Sequence, residues 1–166
     1  FAYNVSLQDF DTIRRRLAAR IEAVAARNDY VLVGHSLGGV LARAAVNSMP
    51  AQVRRPRHLF LLASPVQPAR LAQKLQSNLL FKWITRDCGR LLGSEARMLQ
   101  VGAVSCPTTS IVGVRGLTGQ RGPFKGEVND GIVALSEVSA DWNVDQVQVP
   151  VTHTFMPSSR KVAKVI

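Results

Sequence analysis

Short, uninterrupted apolar runs alternating with stretches of helical periodicity predict an α/β fold, a mostly parallel sheet with helices on both faces. Three observations carry that prediction. Tyr30 to Val33 and HLFLLA at 58–63 are apolar without alternation, as expected of strands buried on both faces. The residues that precede the first of these runs, and those that follow Ser36, repeat their apolar positions every three or four residues. Further along, PTTSIVG at 107–113 is rich in β-branched residues, and Val144 to Val151 alternates valine with polar side chains. At 166 residues, 46% of them hydrophobic, the chain is one domain, 1–166, with enough apolar material for a core.

The elements follow in order. FAYN at 1–4 reads as the end of a strand whose beginning lies upstream. From Ser6 to Arg27, Phe10, Ile13, Leu17, Ile21 and Val24 mark an amphipathic helix; Ser6 with Asp9 resembles a capping box, and Asn28-Asp29 stops it. After the strand at 30–33, Val40, Leu41, Ala44 and Ala45 give a second helix, ending near Met49-Pro50. The second strand runs to Ala63. Residues 68–99 then predict two or three short helices carrying Leu71, Leu75, Leu79, Leu80, Phe81, Trp83 and Ile84. Gly113, Gly116, Gly119 and Gly122 stand at a period of three, but four triplets with one proline cannot make a collagen helix, and no GK[ST] follows to make a phosphate loop. That segment reads as a flexible basic loop. The tail from Ser158 to Ile166 is helical in pattern.

Charge and cysteine usage narrow the function classes. Lys and Arg number 21 against 11 Asp and Glu, a net charge of +10, which would favour anionic partners. The arginines are scattered, however, and no aromatic residues interleave with Arg14–Arg16 or Arg54–Arg57, so nucleic-acid binding is not expected. Cys88 and Cys106 stand apart from any CxxC or histidine, and no metal site or cofactor is expected; two free thiols and one disulfide both remain open. No apolar run reaches the length of a membrane span.

The sequence GHSLG at 34–38 is where chemistry enters. It fits G-x-S-x-G, with an apolar strand ending at Gly34 and a helix beginning after Ser36, the setting of a nucleophile elbow. Such a sharp turn strains the serine backbone and crowds the positions two residues either side, so glycine at 34 and 38 clears space. Ser36 is the candidate nucleophile, and the Leu37 amide at the helix start would face an oxyanion formed there. A serine hydroxyl needs a base. His35 adjoins the serine, so its ring points away from the hydroxyl, and His58 opens its strand at the wrong edge for a site at the C-terminal edge of the sheet. His153, following the valine-rich strand, remains as the base. Asp130, in an Asn-Asp-Gly turn after the strand at 107–113, is the candidate acid; Asp141 and Asp145 are runners-up that precede the last strand at its entry end.

GHSLGG at 34–39, NDGIV at 129–133 and VTHTF at 151–155 together make the chain resemble the α/β-hydrolase fold family, in its bacterial lipase and esterase branch. The resemblance implies Ser36, Asp130 and His153 as nucleophile, acid and base, in that chain order, with the Leu37 N–H as one oxyanion donor and no cofactor. It also implies a helical cap at 68–99, with His35, Leu79 and Trp83 as candidates for the substrate pocket, and a small-molecule or lipid ester as substrate. The family's second oxyanion donor lies on a loop after an earlier strand, which would precede Phe1. On this basis the expected function is serine-dependent ester hydrolysis, and the alternative is a catalytically inactive or impaired binding module of the same fold.

Overall fold

The computed structural model describes residues 1–75, 78, 87–142 and 145–166. Four parallel strands, β1 (Val31–His35), β2 (His58–Leu62), β3 (Thr108–Gly113) and β4 (Asp145–Val149), lie side by side in the order in which the chain makes them. The register pairs Gly34 with Leu61, Leu62 with Ile111 and Val112 with Gln148. Because all four run the same way, their C-terminal ends share one edge, and the loops that leave that edge converge above it.

Alternation along β2 sends Leu59 and Leu61 to one face and Phe60 and Leu62 to the other. On the first face, α1 (Phe10–Ala25) and α2 (Leu37–Ser48) bury Ile21, Ala45 and Val46 against Leu59 and Leu61. Among the described residues between β2 and β3 are three further helices, α3 (Arg70–Leu75), α4 (87–93) and α5 (Glu95–Val101). Cys88 and Leu91 of α4 and Met98 and Val101 of α5 are buried against Phe10 and Leu41, so this part of the 68–99 segment builds core on the α1 and α2 side. The second face is covered by α6 (Leu135–Val138), a 3-10 turn (His153–Ser158) and α7 (Arg160–Ala163), through Val138, Met156 and Val162.

Several expectations change in detail. β1 is not buried on both faces: it is an edge strand, Val31 and Val33 are 51% and 49% exposed, and no residue of β1 joins the cluster that covers the second face. The first helix starts at Phe10 instead of Ser6, because Asp9 itself is the N-cap and accepts from Thr12 N at 2.7 Å, while Asp87 of α4 accepts from Phe10 N at 3.1 Å. Phe1 to Asn4 form no strand; the Asn4 carbonyl accepts from Leu7 N and Gln8 N, turning the chain into α1. Of the tail read as helical from Ser158 to Ile166, only Arg160–Ala163 is α-helix, and Ser158 ends the preceding 3-10 turn. Cys88 and Cys106 are free thiols buried in separate clusters. No helix among the described residues is long and apolar enough to cross a membrane.

Candidate active site

Ser36 stands between the last residue of β1 and the first of α2, with φ 53° and ψ −127°. That left-handed backbone is strained for any residue with a Cβ. It is held by a hydrogen bond from Ser36 N to Leu62 O at 2.9 Å, across to the end of β2. Serine at an N-cap ordinarily turns its hydroxyl back onto the helix N–H groups. Here the side chain makes no capping bond. The Leu37 N–H opens α2, where the first amides have no partner within the helix and the dipole favours negative charge.

The steric demand of the elbow falls on a different pair of glycines from the pair the motif suggests. A Cβ at Gly34 would lie 2.4 Å from Gly39 Cα, and one at Gly39 would lie 2.4 Å from Ser64 Oγ. A Cβ at Gly38 would meet only Tyr3 Oη, at an ordinary 3.7 Å. Gly38 therefore does not clear the turn. Gly34 and Gly39 do, because α2 crosses directly over the end of β1 and onto Ser64 after β2.

Asp130 and His153 meet on loops leaving β3 and β4. Asp130 is 1% exposed; Oδ1 accepts from Ile132 N at 2.9 Å and Val133 N at 2.8 Å, and Oδ2 is 2.7 Å from His153 Nδ1. Since the carboxylate can only accept there, Nδ1 carries the proton and Nε2 presents its lone pair. The backbones are tied as well, His153 N donating to Asp130 O at 3.0 Å. His153 is linked to β1, the strand that leads into Ser36, through His35, whose Nε2 lies 3.2 Å from His153 O, with ring centroids 4.8 Å apart. His35 is thus packed against the candidate base. Burial, and then the neighbouring His153, push its pKa below the usual histidine value.

The other candidates fall elsewhere. His58 starts β2 at the opposite edge, with Nε2 2.8 Å from Thr109 Oγ1. Asp145 opens β4, at that same far edge, and Asp141 is exposed just before it. Leu79 and Trp83 lie outside the described residues.

Sequence reasoning missed the groups that brace the Asp130 turn. Asn129 Oδ1 accepts from Leu117 N and Gly131 N, and its Nδ2 donates to Leu117 O and Glu127 O, so one amide knits the 114–117 loop to the acid turn. The glycine-rich stretch is not uniformly loose. A Cβ at Gly113 would lie 2.3 Å from Val151 O, and one at Gly116 1.8 Å from Asn129 Oδ1, whereas Gly119 is open. Beneath the turn, the buried Glu137 accepts from Ala134 N at 2.7 Å and from Arg70 N at 2.6 Å, and Arg70 also bonds Glu127 Oε2 at 2.5 Å and Ser136 Oγ at 2.9 Å. The Asn-Asp-Gly triplet was the visible sign of this brace; Arg70 left no local sign.

A model of the alpha/beta hydrolase family matches residues 2–154. The chain belongs to that family. Solved structures of similar fold include the mature form of the Bacillus licheniformis lipase BlEst2, 16% identical, TM-score 0.64, over 91% of this chain and 74% of the lipase. The metagenomic carboxyl esterase MGS0156 is 20% identical, TM-score 0.63, over 86% of this chain and 52% of the esterase. The RedJ thioesterase from Streptomyces coelicolor is 20% identical, TM-score 0.56, over 95% of this chain and 67% of the thioesterase. At such identities the likeness is one of fold, and this hydrolase-family chain spans about half the length of the esterase. No curated protein matches it in sequence.

Proposed function

We propose that this α/β-hydrolase domain cleaves carboxylic esters through an acyl-enzyme on Ser36. The observation that carries the proposal is a serine whose strained backbone leaves its hydroxyl uncapped, one residue from the histidine that contacts a buried Asp130–His153 pair. His153 Nε2 takes the Ser36 proton as Oγ attacks the acyl carbon, and the Leu37 N–H stabilises the oxyanion. The tetrahedral intermediate collapses, and the leaving alkoxide takes that proton from His153. Water then attacks the acyl-enzyme by the same proton route, releasing the acid and restoring Ser36. Asp130 holds the productive tautomer and faces the imidazolium formed in each half-reaction.

An apolar acyl group is the proposed substrate feature. Ile132 and Phe155, exposed beside Asp130 and His153 in the chain, support it, as does the leucine-rich composition of 68–99; within that stretch Cys88, Leu91 and Met98 contribute to the core, and 76–77 and 79–86 lie outside the described residues. The test pairs a fluorophosphonate probe with p-nitrophenyl butyrate turnover. The probe should label wild type at Ser36 and spare Ser36→Ala, whose kcat should fall at least about 10³-fold. Labelling elsewhere, or turnover unchanged in Ser36→Ala, would overturn the assignment, and an unlabelled wild type would favour a binding module.

A further inference from the structure

His35 is the half-buried histidine that the mechanism above does not use, and its ring bonds to and packs on His153. Its Nε2 is 3.2 Å from the carbonyl oxygen of His153. A carbonyl can only accept, so this contact fixes His35 as the Nε2–H tautomer, donating. The imidazole of His153 packs on that of His35, with centroids 4.8 Å apart and planes tilted by 47°. His153 then has three fastenings. Its own N–H goes to Asp130 O, its Nδ1–H to Asp130 Oδ2, and its carbonyl takes the proton of His35. The first two bind the base to the acid alone. The third is the direct bond among these between the base and the strand that carries the nucleophile, because His35 is the last residue of β1 and Ser36 follows it.

We propose that His35 is a positioning residue that sets the distance between base and nucleophile by hydrogen-bonding the His153 backbone, and that it does not line the substrate pocket. The proposal rests on the triad assignment of the preceding section. Without this bond, the Asp130–His153 unit can shift as one body relative to β1, retaining its own hydrogen bonds while the placement of Nε2 relative to Ser36 changes. Errors of about 1 Å in such an alignment cost about 10²-fold in rate. Burial also supports the role, since it holds His35 in the neutral form that does not oppose the imidazolium at His153.

The experiment compares wild type, His35→Ala and His35→Gln in p-nitrophenyl butyrate turnover, fluorophosphonate labelling rate and thermal melting. Gln places an N–H close to where Nε2 now sits, without a ring or a titration. His35→Ala should lower kcat and the labelling rate about 10–100-fold with KM within about twofold, and His35→Gln should recover all but about threefold. A rise in KM alone would assign His35 to the pocket and overturn the proposal, as would a folded His35→Ala with wild-type kcat, or a folded His35→Gln no better than His35→Ala. Should His35→Ala fail to fold, wild type decides by ¹⁵N imidazole NMR: the Nε2–H tautomer at His35 supports the bond, and the Nδ1–H tautomer refutes it. A wild type that the probe does not label removes the triad assignment, and this role with it, whereas a labelled wild type with unaffected His35 variants removes this role alone.

Discussion

Replacing Asp130 by Asn exchanges one carboxylate oxygen for an NH₂ and should stop the reaction without dissolving the site. Ile132 N and Val133 N both donate to Oδ1, so the Asn carbonyl oxygen must take that side, and its NH₂ is forced toward His153 Nδ1. Nδ1 then accepts, the ring proton moves to Nε2, and His153 no longer has a lone pair to receive the Ser36 proton. In a Ser-His-Asp triad the wrong tautomer is worth about 10⁴ in kcat, or about 5.5 kcal/mol of barrier. Stability should change far less: two backbone bonds lose their charge assistance, for about 1–2 kcal/mol, which for a chain of this size is a fall of about 3–6 °C in Tm. Asp130→Ala gives the contrast, since it orphans the Val133 and Ile132 N–H groups and should cost about 3–5 kcal/mol. The assay is kcat on p-nitrophenyl butyrate with thermal melts of the same samples. If Asp130→Asn keeps kcat within about tenfold of wild type, the carboxylate serves only its turn, and the acid must be sought elsewhere.

Glycine substitutions separate the elbow's true contacts from its motif. Gly34→Ala and Gly39→Ala, whose new Cβ atoms would lie 2.4 Å from Gly39 Cα and Ser64 Oγ, should each cost about 2–3 kcal/mol or more in urea unfolding, while Gly38→Ala should be neutral or slightly stabilising in its helix. Arg70→Ala removes the partner of Glu137 and Glu127; because Arg70 is about one-third exposed the loss should be only about 1–2 kcal/mol, read by the same method. Burial, with Asp87 beside it, pushes the Cys88 thiol up to about 11, so it should resist iodoacetamide at pH 8 in the native protein and react once unfolded. In the other direction, Arg97 holds Asp87 below the usual 3.8, so this pair adds stability above that pH and loses it as pH falls through the lowered value. Asp87→Asn should therefore flatten the acid side of the stability profile.

The parallel sheet was legible in the sequence because the strands at 58–62 and 108–113 are largely buried and leave mainly apolar or β-branched residues to read. β1 misled for the same reason. Val31 and Val33 are as apolar as a covered strand requires, yet exposed, and composition alone does not say whether a neighbour is present. The candidate triad was legible by topology. Once the strands are parallel, only residues leaving their C-terminal ends can meet, which admits His153 and Asp130 and leaves His58 and Asp145 at the other edge. Contacts between segments distant in the chain carried no such trace. Gly39 against Ser64, Asn129 against Leu117 and Arg70 against Glu137 each depend on an approach that no local period encodes.

The braces differ between the two halves of the site. On the acid side, Gly113 lets Asp130 and Val151 close to contact, Asn129 fixes the flanking loop, and Glu137 with Arg70 anchors the turn from below, so the carboxylate is placed by satisfied hydrogen bonds. On the nucleophile side, Ser36 is placed by strain: a left-handed backbone, held by one bond to Leu62 O and by helix α2 pressed onto Gly34. Ala63, at φ 45°, repeats that strain at the end of the adjoining strand, where its N–H donates to Ile111 O. Sheet pairing joins these two halves of the proposed triad, and one side-chain hydrogen bond also crosses directly between them. The hydrogen bond of His35 to His153 O makes that crossing, which is why its loss should appear in kcat before it appears in stability.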